Sequence, residues 1–537
     1  MSYWEKPDID NIPPRYNKTK WNAQIKPVIN DLKVRLPERG YDFFVIQLAS
    51  GKYLAIYGTG VNAGKAAFGG DTAIGGVDGT YASTIFYACS LTAVGVSIKL
   101  LSNTTYTFSQ MANPEDEADK RNVAWLIQEC TISLIGDGRD GRGSVLKAVN
   151  GLNGDMIRIK NSTGHYAANG CTFFNVRFDG NKTNQSAPPV DDSYGNGIHI
   201  INTGSLGLQM VIMVNCSGNA LYHEDTIDDI QKSYSDQIDN VYISDAGLDG
   251  VRYTNTTDHQ LTNVLCAQNG RNDFSFTRKA ADIQCLNCYA TGNTVSLIGF
   301  YIENVSRIYC NLCVSADHLE DGYKIIAKST PEYAGFCVCI TVIGGDIANN
   351  ANAHVNLAAF NGQIVRDVKI TNSHFVGFRD YDVYIADTNN WQIQSCIISD
   401  NNQQNSTWKI YVGSPNDLGG GITDVGYSNI FRNNNKLNPI GVIDNTKRFC
   451  HGRTISPFTG TSGNVPANHD FTVSLADLYL TALNCPEGIN ITVKDRAGNI
   501  VVTGLTECVM MFVPVGFTIN FGPIATDTFG TLTFCFN

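Results

Sequence analysis

The sequence predicts an all-β chain built mainly as a parallel β-solenoid, and three observations carry that reading. A turn residue followed by apolar–outward–apolar recurs every 23 to 32 residues. It reads Gly197-Ile198-His199-Ile200, Ala220-Leu221-Tyr222-His223 and Gly250-Val251-Arg252-Tyr253, then Gly299-Phe300-Tyr301-Ile302, Gly322-Tyr323-Lys324-Ile325 and Asp382-Val383-Tyr384-Ile385. Apolar residues in these segments alternate with period two, as strands do. Charged residues make up only 17% of the chain, whereas Gly, Asn, Ser and Thr are abundant, a composition suited to turns and ladders. A unit this short buries its apolar face only against the next unit, which is what a solenoid is.

The elements follow in order along the 537 residues. Residues 1–70 read as a separate N-terminal module: Pro13-Pro14, an amphipathic helix over Ile25 to Leu36, and short strands within Tyr41–Tyr57. Gly58 to Gly79 is a glycine-rich linker. The apolar run Tyr81–Ala93 predicts a short helix with Thr80 near its N-cap, covering the open end of the solenoid. Strand signals follow at Val96–Leu101, Thr131–Ile135, Met156–Lys160 and Cys171–Phe178. The solenoid occupies 71–450, with insertions such as Lys182–Ser193 and Thr226–Gln237 framing one side. Over 451–537 the period disappears, and short strands with turn signals predict an antiparallel β-sandwich.

Sixteen cysteines include Cys285-x-x-Cys288 and Cys310-x-x-Cys313, a zinc-ribbon spacing. Aligning rungs by their turns places Cys216, Ser244, Cys266, Cys288, Cys313 and Cys396 in one inward column of small apolar residues. Cysteines three apart on a strand point to opposite faces, which suits a metal poorly. Buried reduced thiols are therefore expected, with no metal and no cofactor.

The net charge of −11, with no cluster of Lys and Arg, argues against nucleic acid or an anionic membrane as partner. No run of apolar residues is long enough to span a membrane. The first residues lack the basic and apolar regions of a signal peptide. An uncharged or weakly charged glycan fits this balance better.

Val77-Asp78-Gly79-Thr80 with its following helix, Val96-Ser97-Ile98-Lys99-Leu100, Ile132-Ser133-Leu134-Ile135-Gly136 and Val176-Arg177-Phe178-Asp179-Gly180 resemble the first rungs of pectate-lyase-like right-handed parallel β-helices. Tyr81-Ala82-Ser83 stand where that family usually has an acidic pair. The order of parts is similar to that of viral tailspike depolymerases. This resemblance implies a homotrimer on the virion tail, docked to the tail or baseplate through the N-terminal module. It also implies a β-helix that binds and cleaves host surface polysaccharide, and a C-terminal module that trimerises or binds sugar.

Glycan hydrolysis needs two carboxylates about 5–5.5 Å or about 6.5–9.5 Å apart. Neighbouring strands lie about 4.8 Å apart, so acids one rung apart fall within range. The outward column is His199, Tyr222, Arg252, Ser275, Tyr301, Lys324, Asn356, Tyr384 and Lys409, with Glu224 and Glu303 two residues further on. Glu224 and Asp249 are the predicted acid/base pair, with Asp273 and Glu303 as substitutes. Tyr222, Asp225, Arg252, Tyr301 and Lys324 are the predicted substrate-binding residues. Arg158-Ile159-Lys160 reads as plain strand. A lyase using His223 or Tyr222 as base with Arg252 against a uronate, and an adhesin that binds without cutting, are the alternatives.

Overall fold

A computed structural model describes residues 40–110, 122–138, 143–160, 170–186, 194–226, 235–329, 335–360 and 363–377, and chiefly strand segments beyond these. The helix expected over 25–36 lies outside the described residues. The chain is a right-handed parallel β-helix followed by antiparallel strands, as predicted. It divides into two compact units, Met1–Ser275 and Phe276–Asn537.

In the first unit a rung consists of three short strands. One rung is Leu206–Gln209, Ile212–Val214 and Leu221–Glu224, and the next is Gln237–Asp239, Tyr242–Ser244 and Val251–Thr254. Each strand pairs in parallel with its counterpart one rung on, for example Leu208 with Ile238, Met213 with Ile243 and Leu221 with Val251. The sequence repeat marked only the third strand of each rung, because that strand carries the strongest apolar signal.

Asparagine explains the corners. Between the first and second strands one residue adopts the left-handed conformation: Asn175, Met210, Asn240 and Asn263 in the first unit, all at φ between 53° and 55°. Asn tolerates this region better than other side chains. The bend lets each corner N–H reach the next rung, as Asn175 N–H donates to the Gln209 carbonyl at 3.0 Å. The single strand expected over Cys171–Phe178 is therefore two, Cys171–Phe174 and Arg177–Asp179, split by Asn175.

Glycine in the repeat has a different cause. A Cβ at Gly197 would meet the Ala220 carbonyl oxygen at 2.6 Å, and one at Gly322 the His354 carbonyl oxygen at 2.6 Å. The backbone of adjacent rungs is too close there for any side chain.

The N-terminal end departs from expectation. Strand Phe43–Gln47 pairs in parallel with Gly95–Leu100, setting Phe43 beside Ile98, so the sheet runs on through the boundary expected near residue 70. Helix Ala82–Ser90 does follow, burying Ile85, Phe86 and Cys89. Phe86 packs on Phe108 and Trp125, with ring centroids 5.6 and 5.2 Å away. Burying each such ring contributes about 1.5–3 kcal/mol. Thr80 does not cap the helix: its hydroxyl and N–H both bond the Asp78 carboxylate, at 2.8 and 3.2 Å. The helix starts after Tyr81 without a side-chain cap.

The second unit repeats the three-strand rung, for example Ser306–Asn311, Val314–Ala316 and Tyr323–Ala327. After it come two antiparallel sheets of four and three strands, within His469–Phe536. They include Leu478–Asn484, which pairs antiparallel with both Met511–Val513 and Thr531–Phe536.

The predicted cysteine column breaks up. Cys266 is in register with Ile243, and Ser244 with Val214 and Ala267. Cys396 precedes a strand of the first sheet, whereas Cys288 and Cys313 precede strands of the second. Register is set by the left-handed corners, not by the turns used to align the sequence. The opposite-face argument fails for the same reason. Asn287 and Leu312 bend the chain at φ 52° and 54°, so Cys285, Cys288, Cys310 and Cys313 are all buried. Of the twelve described cysteines, all free thiols, only Cys339 is exposed.

Candidate functional site

On the first unit the outer face of the third strands carries Arg158, His199, Tyr222 and Arg252 in strict register. Rungs are about 4.8 Å apart, so these side chains touch in sequence. His199 Nδ1 lies 3.0 Å from Asp155 Oδ2, and its Nε2 lies 3.0 Å from Glu224 Oε1. Both neighbours are carboxylate oxygens, so both ring nitrogens donate and the ring is an imidazolium. Burial alone would push His199 down, but the Asp155 charge and the hydrogen bonds to Asp155 and Glu224 override it, and the net shift is upward. Asp155 is fully buried, which disfavours its charge, yet the Arg158 and His199 charges hold it well below the usual carboxylate range. Arg158 reaches it through Nε at 3.0 Å and Nη2 at 2.6 Å.

The Tyr222 ring stacks on His199 at 4.8 Å and 11°. The Arg252 guanidinium lies over the same ring, 5.3 Å from its centroid. The Tyr222 hydroxyl donates to Glu224 Oε2 at 2.8 Å. Burial, then the nearby Glu224 charge, raises the Tyr222 phenol, which keeps its proton. Glu224 is thus held at both oxygens, with its side chain 18% exposed. A carboxylate fixed by two donors and still open to solvent is equipped to exchange a proton with a bound molecule.

Three residues before this outward column runs a second, buried one: Asp155, Asn196, Asn219, Asp249 and Asn272. Each side-chain oxygen accepts the backbone N–H of the next member. Asn196 N–H donates to Asp155 at 3.0 Å, Asn219 to Asn196 at 3.0 Å, Asp249 to Asn219 at 3.0 Å and Asn272 to Asp249 at 3.1 Å. Asp249 is a rung of this ladder. Its two oxygens also take Arg271 Nε at 2.8 Å and Nη2 at 2.5 Å. Arg252 Nη1 lies 3.5 Å from Asp249 Oδ2 while the same guanidinium lies over Tyr222, whose hydroxyl bonds Glu224, so the two acids are linked through Arg252 and Tyr222.

The other predicted residues are placed as follows. Asp273 is fully buried and accepts Asn269 Nδ2 at 2.7 Å. Asp225 is buried; its N–H donates to Thr254 O and its carbonyl accepts Asn255 Nδ2. His223, the alternative base, points inward and bonds Asp236, away from the outer face. In the second unit the Tyr301 hydroxyl donates to Glu303, repeating the Tyr-x-Glu contact, and Lys328 Nζ lies 2.6 Å from the same carboxylate. Lys324 pairs with Glu320 at 3.0 Å. Tyr301, Phe360 and Tyr384 pack on Ile326 and Ala358, an aromatic platform on that unit's face.

Asp155, Arg158 and Arg271 were missed as members of this network. Extending the repeat one rung toward the N-terminus aligns Arg158 with His199 and Asp155 with Asn196, and would have found the first two. Arg271 has no such signal, since it lies in a turn outside both columns.

No family model and no curated protein matches this chain. Several solved structures do. The A-module of the Azotobacter vinelandii mannuronan C-5 epimerase AlgE6 is 14% identical, with a TM-score of 0.40, over 66% of this chain and 89% of its own. The catalytic domain of a GH87 α-1,3-glucanase in complex with nigerose is 14% identical, with a TM-score of 0.48, over 66% and 62%. The tailspike gp49 of Acinetobacter baumannii bacteriophage Fri1, a capsular polysaccharide depolymerase, is 11% identical, with a TM-score of 0.38, over 84% and 82%. The fold stands on the strand pairing itself.

Proposed function

We propose that this chain is a viral tailspike that binds host surface polysaccharide along its β-helix and depolymerises it by hydrolysis. Glu224 is the proton-transfer carboxylate, and Tyr222 and Arg252 hold the sugar beside it. The observation that carries this reading is the pair of contacts on Glu224: one oxygen on the Tyr222 hydroxyl, the other on His199, with the carboxylate still reached by solvent. Outer-face aromatics supply flat apolar surface for sugar rings, and Arg252 supplies donors for hydroxyl or carboxylate groups. The homotrimer, the virion tail location and the docking role of residues 1–70 belong to the same proposal.

Elimination is the second reading, favoured by Arg252 lying directly over Tyr222. There a uronate carboxylate would meet the guanidinium next to the phenol. Incubation of the purified chain with host capsular polysaccharide separates the readings. Shortened chains with new reducing ends support hydrolysis, and unsaturated ends absorbing in the ultraviolet support elimination. Binding without shortening leaves an adhesin and overturns the enzymatic proposal.

A further inference from the structure

Inside the first unit, on the opposite side of the strand from Glu224, three ligand-type atoms converge. These belong to His223, Asp236 and His259; one ligand atom from each lies within 4.8 Å of the other two, and all three residues are fully buried. Asp236 Oδ2 is 2.7 Å from His223 Nδ1 and 3.4 Å from His259 Nδ1. The hydrogen bonds around them constrain which atoms carry protons. His223 Nε2 lies 2.9 Å from the Thr203 carbonyl, an acceptor only, so Nε2 is the protonated nitrogen. The Asp236 backbone N–H donates to His259 Nδ1 at 3.3 Å, so that nitrogen carries no proton, and its lone pair is shared only with this long contact. His223 Nδ1, 2.7 Å from Asp236 Oδ2, either donates a second proton, as His199 does between its two acceptors, or gives its lone pair to a metal ion. Two imidazoles and a carboxylate converging in the buried interior can take a metal ion in place of that proton.

We propose that this point holds a divalent transition-metal ion of the zinc or cobalt type. Imidazole and carboxylate together suit such ions. The surroundings match what ligands of such an ion need. The far nitrogen of His223 is tied to a carbonyl, and the far oxygen of Asp236 accepts the Leu206 N–H at 2.9 Å. Metal–ligand bonds of about 2.0–2.2 Å need only a slight widening of the His223–Asp236 contact. His223 precedes Glu224 in sequence, and Asp236 closes the insertion that follows it. The ion would staple the two ends of that insertion beside the proposed active site. A single proton shared between His223 and Asp236 is the competing occupant.

The full chain is stripped with chelator, loaded with cobalt(II) or zinc(II), desalted, and its metal content per chain measured alongside that of Asp236→Asn. The amide keeps the shape and donates to His223 Nδ1, so the fold is retained. The expected result is one ion more per chain in the native protein than in the variant. Its cobalt spectrum lacks sulfur charge-transfer bands, and zinc raises the melting midpoint of the native protein only. Equal uptake by both proteins overturns the proposal, because the metal then sits elsewhere, for instance on thiols. No uptake by the native protein also overturns it and leaves the shared proton. If Asp236→Asn does not fold, His259→Gln is read in the same way, and native mass spectrometry of the unmodified chain reports the ion directly.

Discussion

Tyr222 donates its hydroxyl to Glu224 at 2.8 Å while its ring lies flat on His199. The two residues are neighbours on one strand, two positions apart, so the strand pleat itself sets this contact. Removing the hydroxyl frees one Glu224 oxygen without moving the strand. Tyr222→Phe is expected to lower kcat about 10- to 100-fold, corresponding to ~1.5–3 kcal/mol for a hydrogen bond to a charged group. Reducing-end release measured against intact capsule tests it. An unchanged kcat would remove Tyr222 from the proton-transfer network.

The fold was legible because the third strand of each rung alternates strictly, and because Gly197 and Gly322 are demanded by close backbone approach. The rung's other two strands were less visible: Ile212–Val214 and Tyr242–Ser244 are three residues each, too short to show a period. The outward column was read in register for His199, Tyr222 and Arg252, which brought Glu224 in beside them, but it slipped at its far end, where Tyr384 pairs with Tyr411 and not with Lys409. Asp249 looked like the partner of Glu224 because it stands at the turn one rung on, before the strand that pairs with Leu221–Glu224. The sequence could not show that an Asn/Asp ladder and Arg271 occupy its oxygens. Asp155 and Arg158 were passed over because 154–160 reads as an ordinary strand.

Asp249 offers a second prediction. Removing one partner of a buried ion pair strands the other and breaks the ladder, at a cost of about 3–5 kcal/mol. Asp249→Ala is expected to lower stability by that order in denaturant unfolding. Asp249→Asn should cost less, since its amide oxygen still accepts the Asn272 N–H. Full stability with lost cleavage in Asp249→Ala would instead make it a catalytic group.

His199 and Asp155 set a pH window. His199 is raised from its ordinary 6.5, so its contribution is complete below pH 6.5 and fades as pH rises through the folded value. Asp155 is lowered from its ordinary 3.8, so its contribution is complete above pH 3.8 and fades as pH falls through the folded value. The contribution of the pair to thermal stability should therefore be fullest between these limits. His199→Gln should remove the decline above pH 6.5 that belongs to the imidazolium. If the difference between native and variant melting midpoints is the same from pH 5 to 9, His199 does not carry the charge assigned to it.

Leu312 holds a corner position that Asn fills in other rungs, at φ 54° and 55% exposed. A branched side chain in the left-handed region costs roughly 1–2 kcal/mol, and Gly or Asn relieves most of it. Leu312→Gly is expected to stabilise the chain by about 1 kcal/mol in thermal or urea unfolding. A loss of stability would mean that its packing over Gly344 outweighs the backbone strain.

The central claim is that Glu224 moves the proton that lets the polysaccharide chain break. The rate of chain shortening by Glu224→Gln, measured on host capsule with binding followed in parallel, tests this most directly. The amide keeps the Tyr222 contact but cannot take or give a proton, so the rate should fall about 10²- to 10⁴-fold with binding retained. Cleavage at the native rate by a folded Glu224→Gln protein would contradict the account.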